Sequence, residues 1–206
     1  MIKRFFAVIA LSLLTGSVCA AVITANSSYT DSTGGNDFAL GQSVTTPSGG
    51  PWDNISFNFI NSAGSPYANG TLYLLALEYL GTTVGLSSST PGFVATSSSS
   101  AGGIWAFASS VALQAATTYW FYMDTLFDGT EQVRYSAVNP YAGGSSYQAD
   151  GAAGTFSAHV NKTEYFYDLA FSLQGTEQSR SVPEPATLAL LGLGLAGLGF
   201  SRRKKA

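Results

Sequence analysis

Asn54-Ile55-Ser56-Phe57-Asn58-Phe59-Ile60 alternates polar and apolar residues up to its last position. A period of two marks a strand with one wet face and one dry face, so Ile55, Phe57 and Phe59 are expected to share a buried side. The neighbouring segments extend the pattern. Residues 71–79 are apolar on both faces, Leu72, Leu74 and Ala76 against Tyr73, Leu75 and Leu77. That predicts a central strand, covered on both sides or shielded by a loop on its outer one. Residues 104–107 and 119–123 read as short aromatic strands, and residues 131–138 as a more polar one. Tyr165, Tyr167, Leu169, Phe171 and Leu173 line one face of the last strand. Turn chemistry separates them: Gly34-Gly35, Gly49-Gly50-Pro51, Asn69-Gly70, Asp128-Gly129, Gly143-Gly144 and Asp150-Gly151. Residues 87–103, rich in Ser and Gly, read as a long loop or a weak edge strand. No stretch of residues 21–175 shows a helical period with caps. About nine or ten short strands with such turns predict an all-β fold, a two-sheet antiparallel sandwich of jelly-roll-like type.

The two ends differ from this middle. Residues 1–20 have a charged start (Lys3, Arg4), an apolar run over 5–14 and a small-residue finish, Val18-Cys19-Ala20. This is the pattern of a signal peptide with an apolar helix, cut between Ala20 and Ala21. Cys19 is the only cysteine and leaves with it, so no disulfide is expected in the mature chain. Residues 176–182 form a polar linker. At 183–206 a Pro183-Glu184-Pro185 turn is followed by an uncharged run over 186–200 and a basic cluster, Arg202-Arg203-Lys204-Lys205. As a helix that run reaches about 22 Å, short of the hydrocarbon core of about 30 Å. It can still span with bilayer thinning and snorkelling bases. The basic end stays cytoplasmic, which places everything before residue 183 outside.

The order Val182-Pro183-Glu184-Pro185-Ala186, apolar run, Arg202-Arg203-Lys204-Lys205 resembles the PEP-CTERM sorting signal of Gram-negative bacteria. That resemblance covers residues 182–205. It implies exosortase, a membrane cysteine transpeptidase, as the processing partner, with cleavage near Pro-Glu-Pro and only transient residence in the inner membrane. A second resemblance spans roughly residues 36–175. The segments Phe38-Ala39-Leu40-Gly41-Gln42-Ser43-Val44-Thr45-Thr46, Gly70-Thr71-Leu72-Tyr73-Leu74-Leu75-Ala76-Leu77-Glu78 and Val111-Ala112-Leu113-Gln114-Ala115-Ala116-Thr117-Thr118-Tyr119-Trp120-Phe121 look like the choice-of-anchor β-sandwich domains of bacterial surface proteins. It implies a surface role and names no ligand.

Composition narrows the function. Only 10% of residues are charged, against a usual figure of about 25%, so the surface must be built from Ser, Thr, Gly, Asn and Gln. Residues 21–182 hold eleven acids and three bases (Arg134, Lys162, Arg180), a net charge of −8. Such a domain has no electrostatic footprint for nucleic acid. With one histidine, His159, and no cysteine after cleavage, zinc and copper sites lack ligands, and no Gly-x-Ser-x-Gly elbow is present. Glu164 and Asp168 share strand parity, about 13 Å apart, too far for a glycosidase pair. Asp124, Asp128 and Glu131 surround a glycine turn. They read as a solvated loop, a weak calcium site or converging carboxylates. Trp52, in a Pro-Trp-Asp loop, is the tryptophan expected to be exposed for glycan contact, and Trp105 and Trp120 are expected in the core. No catalytic set and no cofactor emerge. The expectation is an exported, non-enzymatic protein of the cell envelope or the biofilm and exopolysaccharide matrix, with a structural or glycan-binding sandwich. Two alternatives stay open: a secreted carbohydrate-active enzyme, and a surface protein that keeps its tail as a membrane anchor.

Overall fold

The computed structural model describes residues 20–33, 38–98, 100, 102–126, 132–136, 138–158 and 168–178. The expected helices at the two ends lie outside these, as do Tyr165 and Tyr167. Among the described residues the chain is all-β, with one 3-10 turn, Thr83–Gly85. In chain order the strands are β1 (Ala21–Asn26), β2 (Asp31–Thr33), β3 (Phe38–Thr45), β4 (Trp52–Ile60), β5 (Pro66–Tyr67), β6 (Thr71–Leu75) and β7 (Phe93–Ser98). They continue as β8 (Trp105–Ala106), β9 (Thr118–Met123), β10 (Val133–Ser136), β11 (Ser146–Asp150), β12 (Ser157–Ala158), β13 (Asp168–Leu169) and β14 (Phe171–Glu177). Three antiparallel sheets result. A five-stranded sheet runs β1-β14-β4-β5, with β8 also on β4; a six-stranded one runs β12-β11-β3-β9-β6-β7; a small one runs β13-β10-β2. No helix among the described residues is long and apolar enough to cross a membrane.

The alternation in β4 decides how the larger sheets meet. Ile55, Phe57 and Phe59 are all buried, as their period predicts. Phe57 stacks on Phe121 of β9, ring centroids 4.4 Å apart and planes 7° apart. That contact joins the five-stranded sheet to the six-stranded one, face to face. Leu40, Val44, Leu72 and Leu74 fill the same layer from β3 and β6. Within its own sheet Phe57 also stacks on Phe171 at 5.8 Å and meets Phe59 edge-on at 5.2 Å.

One irregularity overturns an expectation. Between Gln174↔Ser56 and Thr176↔Asp53 the register of β14 on β4 shifts, leaving an extra residue in β4. Asn54 takes the left-handed conformation there, φ 49°, which Asn tolerates better than most residues. The bulge lets Trp52 and Ile55, three apart, both turn inward. Trp52 is therefore not an exposed loop residue; it is 6% exposed and exchanges two backbone hydrogen bonds of 2.9 Å with Leu113. Opposite the bulge stands Gly175, where a Cβ would lie 2.8 Å from the side-chain tips of both Ile23 and Ile55.

Residues 71–79 also differ from the expectation. The strand stops at Leu75, and Leu77 is 55% exposed. Residues 76–92 then leave the sheet and shield its outer face, the second of the two coverings considered. The Thr83 amide donates to Gly154 O at 3.3 Å and the Phe156 amide to Gly81 O at 2.9 Å. Beneath them Tyr122 is fully buried against Phe156, Tyr147 and Tyr79, at 4.7, 5.3 and 6.0 Å. Residues 87–103 contain the edge strand β7, and residues 131–138 contain β10, the middle strand of the small sheet. The last strand reaches Glu177, two residues into the stretch read as linker, and the Gln178 amide still donates to Pro51 O at 2.8 Å.

Gly41 pairs with Tyr122, and a Cβ there would sit 2.5 Å from the ring. Because the ring is enclosed, it cannot swing away. Gly41→Ala should lower unfolding stability by about 1–3 kcal/mol, the usual cost of overpacking, read as a lower urea midpoint. An unchanged midpoint would show that this face is loosely packed.

Candidate functional site

The residues singled out from the sequence separate into three groups. Pro183, Glu184, Pro185, Arg202, Arg203, Lys204, Lys205, Asp128, Glu131, His159 and Glu164 lie outside the described residues. Ala20 and Ala21 are exposed, and Ala21 opens β1 opposite Gly175, so the expected cleavage point sits where the sheet begins. The third group is folded into the domain, and its members have structural partners.

Asp124 follows β9. Its Oδ1 accepts from the Thr71 amide at 2.9 Å and from the Thr125 hydroxyl at 2.8 Å, which ties the end of β9 to the start of β6. Among the described residues no three His, Cys, Asp or Glu side chains are grouped to hold a metal ion.

Asp168 shares strand parity with Glu164, which lies outside the described residues. Asp168 itself is fully buried in β13. Its Oδ2 accepts from the Tyr141 amide at 3.0 Å. The Asn139 amide nitrogen, oriented to satisfy both of its polar atoms, donates to the same oxygen at 3.0 Å. Gln42 Nε2 reaches Oδ1 at 3.4 Å, and Gln42 Oε1 accepts from the Leu169 amide at 3.0 Å. The small sheet is thereby pinned to β3. Burial pushes the Asp168 carboxyl up to about 6, against the opposing pull of the Tyr141 amide and Gln42. This carboxylate faces hydrogen-bond donors on both of its oxygens.

The outer face of the six-stranded sheet holds the remaining chemistry. Trp105 is fully buried, its indole N–H donating to Gly70 O at 3.1 Å. Trp120, expected in the core, is the tryptophan that keeps solvent exposure. It points outward with Tyr122, since Phe121 between them points in. Its Nε1 donates to the Tyr147 hydroxyl at 3.0 Å, and that hydroxyl donates to Glu78 Oε1 at 2.8 Å. Tyr147 belongs to β11 and Trp120 to β9, with β3 between them. The indole therefore leans across β3, where Trp120 pairs with Ser43. Burial pushes the Tyr147 phenol up to about 12; the Trp120 hydrogen bond opposes this and Glu78 adds to it. Sequence reasoning missed this chain because Glu78, Trp120 and Tyr147 come from three segments with no shared spacing.

Asp168 yields a signed pH test. Its folded value, about 6, exceeds the ordinary 3.8, so the folded chain keeps this proton where the unfolded chain has lost it. Stability from this group is highest below pH 3.8, falls through pH 6 and is level above. Asp168→Asn removes that dependence. Relative to the parent, the variant should gain on the order of 2–3 kcal/mol in urea unfolding between pH 4 and pH 7. A constant difference across that range would contradict the assignment.

Comparison with known proteins adds the part the sandwich does not show. No curated protein matches the chain. Residues 181–204 match the PEP-CTERM protein-sorting motif. The stretch contains the Pro183-Glu184-Pro185 turn, the apolar run and most of the basic end in the order read from the sequence. The chain thus carries a PEP-CTERM sorting signal, which marks it as an exported protein sorted by exosortase.

Proposed function

We propose that this chain is a protein of the cell envelope or of the biofilm and exopolysaccharide matrix, delivered by exosortase, with a structural or glycan-binding sandwich and no enzymatic activity. The observation that carries this reading is the motif at residues 181–204. In this account residues 186–200 hold the chain in the inner membrane while Arg202, Arg203, Lys204 and Lys205 fix its orientation. The enzyme then cuts near Pro183-Glu184-Pro185, and residues 21–182 continue outward.

The antiparallel sheets support a jelly-roll-like sandwich of the choice-of-anchor kind. The first strand and the last lie side by side, and two large sheets close over one aromatic core. Two of the carboxylates considered from the sequence have structural roles. Asp168 is buried among hydrogen-bond donors and Asp124 caps a strand. A low-charge surface rich in hydroxyls and amides suits a hydrated polysaccharide, which offers hydroxyls in return.

Replacing Pro183, Glu184 and Pro185 together by Ala tests the sorting step in the native host. The variant should accumulate in the inner membrane with its tail intact, while the parent leaves it. A variant distributed like the parent would show that the motif does not direct processing.

A further inference from the structure

We propose that Trp120, supported by Tyr147 and Glu78, is the contact point for a pyranose glycan that carries no acid groups. This rests on the glycan-binding reading of the sandwich and names its site.

Three observations lead there. The first is which aromatic ring is available. Trp52 and Trp105 are enclosed in the core, whereas Trp120 stands on the outer face and is only half-buried. The second is that the ring is already held. Its N–H is bonded to Tyr147, and Tyr147 is anchored in turn on Glu78. Stacking a sugar on an indole that is fixed beforehand loses little conformational freedom, which is where much of a binding energy otherwise disappears. The third is the polar setting. Tyr147 engages one oxygen of the exposed Glu78 carboxylate, and a carboxylate has acceptor capacity on both. Thr118 and Thr45 lie on the same outward side, their hydroxyls 2.8 Å apart. A flat apolar ring beside hydroxyls and a carboxylate matches a sugar, whose ring faces are apolar and whose rim is hydroxylated.

Charge selects the class. Residues 21–182 carry a net charge of −8, and Glu78 adds a local anion at the platform. A uronate chain would be repelled, whereas neutral hexoses and amino sugars would not.

Calorimetry on the processed protein from its host tests the site with three probes: cellohexaose, a chitosan hexamer and hexagalacturonate. Cellohexaose or the chitosan hexamer should bind and hexagalacturonate should not. Trp120→Ala should weaken binding at least about tenfold, as truncating an aromatic anchor does, and Tyr29→Ala, an exposed aromatic outside the face, should bind as the parent does. Should Trp120→Ala fail to fold, the parent answers the question. N-bromosuccinimide should oxidise Trp120 ahead of Trp52 and Trp105, and bound glycan should protect it, as located by peptide mass. Binding that survives Trp120→Ala, or that leaves Trp120 unprotected, would overturn this site while keeping the glycan reading. Preference for hexagalacturonate would overturn the charge argument. Failure of the parent to bind all three would remove the glycan reading together with the site, and would leave the sorting reading untouched.

Discussion

The stack of Phe57 on Phe121 is the contact the rest of the domain depends on. It joins the two large sheets at 4.4 Å, and Phe57 alone meets rings from β4, β8, β9 and β14. With no cysteine beyond Cys19, the chain has no disulfide to close its long β-loops. Apolar burial must do that work. Truncating a core phenylalanine costs about 3–5 kcal/mol, a large share of the roughly 5–15 kcal/mol that keeps a domain folded. Everything outside this layer is held relative to it: Tyr122 and the covering residues 76–92 on one side, and the small sheet through Asp168 and Gln42 at its flank.

How much of this was legible follows from the range of each interaction. The dry face of β4 was readable because alternation is local, and Ile55, Phe57 and Phe59 point where the period says. The positions of β9 and β10 were readable from another local signal, the aromatic and β-branched content of residues 119–123 and 131–138. Trp52 was misplaced because Pro51-Trp52-Asp53 reads as a loop, whereas β4 already begins at Trp52. One extra residue at Asn54 then turns the tryptophan inward, and an Asn inside an alternating strand permits a left-handed φ without requiring one. The length of β6 was overread because Ala76 and Leu77 continue an apolar run that the chain uses for a crossing loop. Asp168 had no signal at all. Its burial is decided by Gln42, Asn139 and Tyr141, up to 126 residues away, and a lone Asp in a strand reads as surface.

The same distinction governs function. The sorting signal is contiguous, so motif, apolar run and basic end could be read directly, and the motif match falls on residues 181–204. The Trp120–Tyr147–Glu78 hydrogen-bond chain, the proposed glycan platform, is assembled from three segments by the fold. No spacing in the sequence marks it, because Trp120 reaches Tyr147 only by leaning across β3. A signal that directs the chain outward and a low-charge all-β domain with a held aromatic ring are the basis of the proposed role, a matrix component released at the surface.

Intact mass of the protein recovered from its host, measured separately for membrane and released fractions, bears most directly on that role. The account predicts a released chain that starts at Ala21 and ends near Val182 or Pro185. A chain still carrying residues 188–205, found only in the membrane, would contradict it and make the tail a permanent anchor.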